Sequence, residues 1–348
     1  MDDLLARRLA HHGLGDPAPD VVTAARRMLA TQAQELWGGR WGLTVRTATG
    51  TGADVDAALD AGRLVRSWPM RGTLHLVPAE DLHWVLGVTA GRMRAKVRAR
   101  HAELQIDAAG LTRAGDVLRE ALADGGLTRA EVMERWQDAG IVTEGQRGVH
   151  LIGALATDGL VCWGPVVPHP DGRAAPREQR LVLTDRWITE RTDPTDPAAE
   201  LFVRFVRGHG PAGVEDFVWW TGLTLTAARA AAAGADDRLV ELSPGRWVHP
   251  DVPDTAPDTG PDADTVHALP SFDEYYLSYA DRSPVADDDR RAAVGPGRNG
   301  MVKAVLVHRG RVVGTWRRAD GSVTELGRWT GAVRQQAAAA LEAFGRRG

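Results

Sequence analysis

The sequence predicts an α+β chain, mainly helical, built as three tandem winged helix-turn-helix units. Two observations carry this. An order of helix, helix, helix and hairpin is written out twice in full and a third time less regularly. Glycine or proline also punctuates these elements, as turns and helix ends require. A chain of 348 residues is long enough for two or three domains with a substantial core.

In order along the chain, the first unit spans 1–105. It opens with a helix from Asp20 to about Thr31, followed by another from Asp54 to Ala61. Strands Leu64 to Trp68 and Thr73 to Val77 then close a hairpin on Pro69-Met70-Arg71-Gly72. The second unit, 106–192, has a helix from Leu111 to Ala123. Its next helix, Arg129 to Asp138, is capped by Thr128, with Glu131 in the capping-box position. Gly148 to Asp158 gives its third helix, and strands Leu160 to Val167 and Arg180 to Thr184 flank a long wing from Pro168 to Pro176. The third unit, 193–348, repeats the order most clearly. Its helices run Pro197 to Arg207, Val214 to Thr221 and Thr226 to Ala233, and Ser243-Pro244-Gly245 turns a hairpin. An acidic, proline-rich linker lies between His249 and His267. Beyond it, Met301 to His308 and Arg311 to Arg317 form a hairpin around Arg309-Gly310, and a helix from Gly331 to Ala343 closes the chain.

Composition removes several classes of function. No apolar run approaches the ~20 residues of a membrane span, and Met1-Asp2-Asp3 does not open a signal peptide. The single cysteine, Cys162, excludes an internal disulfide and a cysteine-rich zinc site, and reads as a small buried side chain. No P-loop, dinucleotide fingerprint or metal-binding helix is present, so neither metal nor organic cofactor is expected. These features point to the cytoplasm. The formal net charge of −4 conceals local basic surfaces. Arg92, Arg94, Lys96, Arg98 and Arg100 follow one another without an acid, and Met301 to Arg318 holds five Lys or Arg and no Asp or Glu. Such runs are usually solvated faces, yet they also suit a phosphate backbone.

Three segments could carry chemistry. Gln32-Ala33-Gln34 closes the first helix. In an ideal helix, positions two apart point to nearly opposite sides, so joint action of the two amides requires non-helical backbone. Extended or turn backbone would put both on one face. The residues alone favour one amide capping the helix and the other facing water. In the strand Thr73 to Val77, alternation sets Thr73, His75 and Val77 opposite Leu74 and Leu76. His75 is either a satisfied core histidine or a group lining a site beside Arg71 and Thr73. The third segment is Leu269-Pro270-Ser271-Phe272-Asp273-Glu274-Tyr275-Tyr276, ending at Asp281-Arg282-Ser283. Its tyrosines would pack an apolar face and bond through their hydroxyls. Asp273 and Glu274 are costly to bury unpaired, and Arg282 is the nearest partner in sequence.

Together with Trp68-Pro69-Met70-Arg71-Gly72-Thr73-Leu74-His75-Leu76-Val77, these segments resemble the winged-helix DNA glycosylases of the AlkZ and YcaQ type over nearly the whole chain. Gln-x-Gln matches the AlkZ-like branch. The resemblance implies three winged helices around a concave basic DNA-binding channel and a monofunctional glycosylase acting on cationic N-alkylated purines. It also implies DNA repair that extends to unhooking interstrand crosslinks or bulky natural-product adducts, in a setting of genotoxin self-resistance. On this basis Gln32 and Gln34 are catalytic. Arg71, Thr73, His75, Asp273, Glu274 and Tyr275 form the substrate pocket, and Lys303, His308, Arg309, Arg311 and Arg317 bind DNA. The expected partner is double-stranded DNA carrying alkylated or crosslinked purines, met by a monomer near the nucleoid. The competing class is a non-catalytic winged-helix regulator that recognises unmodified DNA.

Overall fold

The computed structural model describes residues 2–169, 178–253, 265–297 and 300–348. Its backbone packs as two units, one formed by Met1–Val55 with Ala198–Gly348 and the other by Asp56–Pro197. Sequence and backbone therefore divide the chain differently: 106–192 lies wholly inside the second unit, whereas 1–105 contributes to both.

The discontinuous unit begins with α1 (Asp2–His11) and α2 (Val21–Met28). Asp20 caps α2 by accepting from the Val22 and Thr23 amides, both at 2.9 Å, a device worth about 1 kcal/mol. The sequence reading carries this helix to Thr31, but it ends at Met28. Leu29 takes φ 60°, and a two-residue strand β1 (Thr31–Gln32) follows. The Gln-x-Gln segment thus lies outside the helix. Trp37-Gly38-Gly39, whose two glycines disfavour a helix, nonetheless opens α3 (Leu36–Thr44). Helical glycine costs about 1 kcal/mol, and close packing explains its presence here. A Cβ at Gly42 would meet Thr31 Cγ2 at 3.2 Å and Asp273 Oδ2 at 3.7 Å. α4 (Gly52–Asp60) then crosses the unit boundary.

In the second unit, β2 (Leu64–Met70) and β3 (Thr73–Pro78) turn on Arg71 and Gly72, both at positive φ (56° and 79°). This is the type I′ pattern that suits the twist of a hairpin. The long helix α5 (Leu82–Glu103) buries Leu82, Val85, Leu86 and Met93 and leaves its basic run exposed. Arg94 pairs with Asp158 at 2.8 Å and Arg100 with Glu103 at 2.7 Å. Helices α6 (Ala108–Ala121), α7 (Arg129–Asp138) and α8 (Arg147–Thr157) follow, and the expected Thr128–Glu131 capping box is formed. Trp136, fully buried, fixes their packing by donating from Nε1 to the Ala114 carbonyl at 3.0 Å. Strands β4 (Val161–Val167) and β5 (Glu178–Leu183) and the short α9 (Thr184–Trp187) complete the unit, whose strands run in the order β3-β2-β4-β5. Cys162 is buried in β4, which pushes its thiol up to about 12. The wing expected between Pro168 and Pro176 falls, beyond its first two residues, outside the described residues.

The first unit resumes with α10 (Pro197–His209), α11 (Val214–Thr221), α12 (Leu225–Ala233) and the hairpin β6 (Val240–Ser243) and β7 (Arg246–Val248). Gly222 ends α11 in the left-handed conformation, φ 74°. Much of the acidic linker lies outside the described residues. The remaining elements are β8 (Val266–Leu269), α13 (Glu274–Leu277), α14 (Asp288–Val294), β9 (Ala304–His308), β10 (Arg311–Trp316), β11 (Val323–Glu325) and α15 (Gly331–Arg347). The expected hairpin around Arg309-Gly310 is the centre of an antiparallel sheet ordered β11-β10-β9-β8. Trp41, Trp316 and Phe344 pack ring to ring against it, with centroids 4.9 to 5.1 Å from Phe344. Among the described residues no helix is long and apolar enough to cross a membrane.

Candidate active site

Gln32 occupies β1 and is 7% exposed, Ala33 is buried at 1%, and Gln34 is exposed where the chain bends towards α3. The Gln32 backbone N–H donates to Oε1 of Glu274 at 2.8 Å. Glu274, 0% exposed, is the first residue of α13. Its Oε2 accepts from Trp220 Nε1 of α11 at 3.0 Å and from the Ser278 hydroxyl at 2.6 Å, and lies 3.8 Å from His209 Nε2. The carboxylate therefore joins β1, α11 and α13 at one buried point.

Asp273 sets α13 in place. Its Oδ1 accepts from the Tyr275 amide at 2.8 Å as the helix N-cap, and the whole carboxylate is gripped by Arg46. Nη1 of Arg46 meets Oδ2 at 2.9 Å and Nη2 meets Oδ1 at 2.8 Å, with both side chains 1% exposed. Arg46 Nη1 also donates to the Gly42 carbonyl of α3 at 2.7 Å. The expected partner, Arg282, lies elsewhere: its guanidinium stands 5.0 Å from the Trp219 ring centre and 5.3 Å from that of Tyr276. Burial and charge called for a cation, but the one supplied lies 227 residues away in sequence.

A second layer of buried polar groups supports Arg46. The Tyr279 hydroxyl donates to the His209 carbonyl at 2.8 Å and so accepts from His12 Nε2 at 2.9 Å. That assigns the His12 proton to Nε2 and leaves Nδ1 facing Arg46 Nη2 at 3.4 Å. Burial first, then the nearby His209 and the Arg46 and Arg8 guanidinium groups, hold His12 well below its usual pKa. Arg8 covers the Tyr279 ring at 3.5 Å. The tyrosines pack and bond as the sequence suggested. Tyr275 donates to the Gly310 carbonyl at 2.8 Å and Tyr276 to that of Gly295 at 2.7 Å. Burial raises the pKa of all three.

The Tyr275 bond ties the β9–β10 turn to α13. His308, Arg309 and Arg311 gather at this turn, where Arg311 pairs with His308. Lys303 and Arg317 flank the Ala304–Trp316 pair at the other end, so the basic run is two clusters separated by the length of the hairpin. Arg317 also lies 3.8 Å from Asp320. In the second unit, Arg71, Thr73 and His75 come together on the β2–β3 hairpin. His75, fully buried, faces the Thr73 carbonyl through Nδ1 at 2.9 Å and Arg71 Nη2 through Nε2 at 3.4 Å. The Arg71 carbonyl accepts from Lys96 Nζ at 2.9 Å. The structure thus brings Gln32, Asp273, Glu274, Tyr275 and the Arg309 turn together in one unit, and Arg71, Thr73 and His75 in the other.

Arg46, Trp220, Ser278, His12 and His209 escaped the sequence reading. Their only signal was the unsatisfied need of two adjacent acids. Among the described residues no group of three or more His, Cys, Asp or Glu is placed to hold a metal ion.

The family model described as "DNA glycosylase AlkZ-like" matches residues 25–347. The chain is 27% identical over 325 residues to the interstrand DNA cross-link repair glycosylase of Streptomyces sahachiroi, covering 87% of this chain and 83% of that protein. Its fold is similar to that of Streptomyces sahachiroi DNA glycosylase AlkZ, with a TM-score of 0.79 at 21% identity over 99% of this chain and 96% of the other.

Proposed function

Because the chain belongs to the AlkZ-like DNA glycosylase family, we propose that it is a monofunctional enzyme hydrolysing the N-glycosidic bond of cationic N-alkylated purines in duplex DNA. The observation that carries this reading is the placement of Gln32 outside the helix, on extended backbone anchored to a buried carboxylate. Leaving the helix removes the geometry that would point Gln32 and Gln34 to nearly opposite sides.

Two amides suit a leaving group that is already positive. Glycosidic hydrolysis usually needs one carboxylic acid to protonate the departing group and a second carboxylate to act as base or nucleophile. An N7- or N3-alkylated purine leaves without a proton. The C1′–N bond breaks, its electron pair neutralises the base, and the sugar is left as an oxocarbenium ion. The carbonyl oxygens of Gln32 and Gln34 stabilise that cation and orient a water molecule. The water adds to C1′ and loses a proton to solvent, giving an abasic site and a neutral free base. No lysine neighbours the motif in sequence to attack as a nucleophilic amine.

In the same reading Arg71 and Thr73 contact the substrate strand, and the buried His75 supports them from beneath. Lys303, His308, Arg309, Arg311 and Arg317 contact phosphates. The Streptomyces relative is named an interstrand DNA cross-link repair glycosylase, which supports including purines joined across strands in the proposed substrate class; bulky natural-product adducts are included on the resemblance alone. The helices and hairpins of 1–105, 106–192 and 193–348 serve as winged-helix units. The enzyme works as a nucleoid-associated cytoplasmic monomer, with neither metal nor organic cofactor.

The test is single-turnover excision from duplex DNA holding one N7-methylguanine, read by alkaline strand cleavage. Gln32→Ala and Gln34→Ala should each slow excision by ~10²-fold or more, the scale of losing one preorganised polar group. DNA affinity should change little, and uracil should not be released. Near-wild-type excision by a folded Gln32→Ala/Gln34→Ala double variant would overturn the assignment of these two residues, and no excision by the wild-type protein would favour a DNA-binding regulator.

A further inference from the structure

Glu274 is wholly buried, and at least three donors from different parts of the first unit end on its carboxylate. Two of them, the Gln32 main-chain N–H and the Trp220 indole N–H, can only donate. They approach different oxygens, Oε1 at 2.8 Å and Oε2 at 3.0 Å. Both oxygens must therefore accept, which a carboxylate does and a carboxamide does not. A carboxamide would set its own N–H against one of the two donors. The third donor, the Ser278 hydroxyl, is not restricted in this way, because it can rotate and accept.

The backbone around this point is itself unusual. Leu29 and Phe272, on the two segments that meet here, hold φ of 60° and 63° without being glycine. Side-chain-bearing residues rarely stay in that region unless surrounding contacts over-determine them, and such positions cluster at functional sites.

We propose that Glu274 is the positioning residue of the Gln-x-Gln motif. Its carboxylate fixes the main chain at Gln32 and thereby the direction in which the amide is presented. Trp220 and Ser278 fix the carboxylate in turn, and the Arg46–Asp273 clamp fixes the helix that carries it. The assignment rests on the catalytic role of Gln32 proposed above. It gives Glu274 no contact with substrate.

Four variants decide it: Glu274→Gln, Trp220→Phe, the double variant Glu274→Gln/Trp220→Phe, and Gln32→Ala. Each is assayed for single-turnover excision of N7-methylguanine and for DNA affinity. Glu274→Gln should excise ~10-fold more slowly or worse while affinity stays within about threefold, the signature of an interaction used in the chemical step. Removing the indole donor as well lets the Gln oxygen turn to the Gln32 N–H and its NH₂ to the Ser278 oxygen. The double variant should therefore recover to within about threefold of Trp220→Phe alone, whereas two merely structural lesions would compound. Wild-type excision by Glu274→Gln, or a double variant no faster than Glu274→Gln, overturns the proposal. If Glu274→Gln does not fold, the double variant against Trp220→Phe is the deciding pair, and a deficit beyond ~10-fold overturns it. Unimpaired excision by Gln32→Ala instead removes the catalytic reading beneath it. That result differs from a slow Gln32→Ala beside a fast Glu274→Gln, which sinks the positioning role alone.

Discussion

Asp273→Asn should loosen the first unit by about 3–5 kcal/mol, the cost of breaking a buried ion pair from one side. Arg46 would keep its charge at 1% exposure with half of its bidentate contact reversed, leaving the Gly42 carbonyl at 2.7 Å as its main acceptor. Asn remains a good helix N-cap, so this change isolates the lost charge. Asp273→Ala should cost about 1 kcal/mol more, because the bond from the Tyr275 amide goes as well. Arg46→Met should resemble Asp273→Asn, since it strands the other charge. The double variant Arg46→Met/Asp273→Asn removes both charges and should fall short of the summed single effects by about 2 kcal/mol or more. Because the chain packs as two units, one global unfolding energy would blur the effect. Native-state hydrogen exchange by peptide resolves it. Amides of α3 and of residues 266–279 should exchange roughly 10²- to 10³·⁵-fold faster in the single variants, at about 1.4 kcal/mol per tenfold. Those of α8 in the other unit should not change. A single-variant acceleration below tenfold, or full additivity in the double variant, would refute the view that this pair clamps α13.

Stability of the first unit should also fall with pH. Burial is the largest cause lowering His11 from 6.5 to about 4, so the folded state refuses a proton that the unfolded chain accepts. The resulting loss sets in as pH drops below 6.5, grows to about 3 kcal/mol and levels off below 4, with no contribution above 6.5. The depressed His12 adds in the same sense. The drop in unfolding midpoint between pH 7 and 4.5 should be smaller in His11→Asn, and an equal drop would contradict the assignment. On duplex DNA, Arg309→Ala/Arg311→Ala should weaken binding to every sequence. It should also make the log–log salt dependence shallower by up to ~1.8, at ~0.9 per phosphate contact. An unchanged slope would place the β9–β10 turn away from the DNA.

What could be read from the sequence was what is encoded within a few residues. The Thr128–Glu131 capping box, the Gly222 helix stop and the Arg71-Gly72 and Arg309-Gly310 turns each depend on backbone geometry that the local residues dictate. α3 was missed for the opposite reason. Its glycines argue against a helix, and at Gly42 it is close contact with Thr31 of β1 that explains the need. The early end of α2 was missed likewise, because a leucine at φ 60° is stabilised by its surroundings and not by its own preference. The basic run of 301–318 was legible as charge. Its division into two ends was not, because that depends on the β9–β10 register.

The same distinction separates the acids from the amides at the site. Read along the chain, Asp273 and Glu274 are the groups most suited to acid–base work, and Gln32 and Gln34 the least. Burial reverses the ranking. Asp273 at 3% exposure is committed to Arg46 and to the N-terminus of α13. Glu274 at 0% is committed to donors on both its oxygens. Carboxylates so engaged are committed to contacts that would have to break before they could act on a substrate. They serve better as fixed anchors, and what they anchor is the main chain beneath an uncharged amide. A site built in this way has charge in its foundations and none in the proposed catalytic pair. On the proposed catalytic role of that pair, such a site favours a substrate that brings its own positive charge and spares the neutral bases of undamaged DNA.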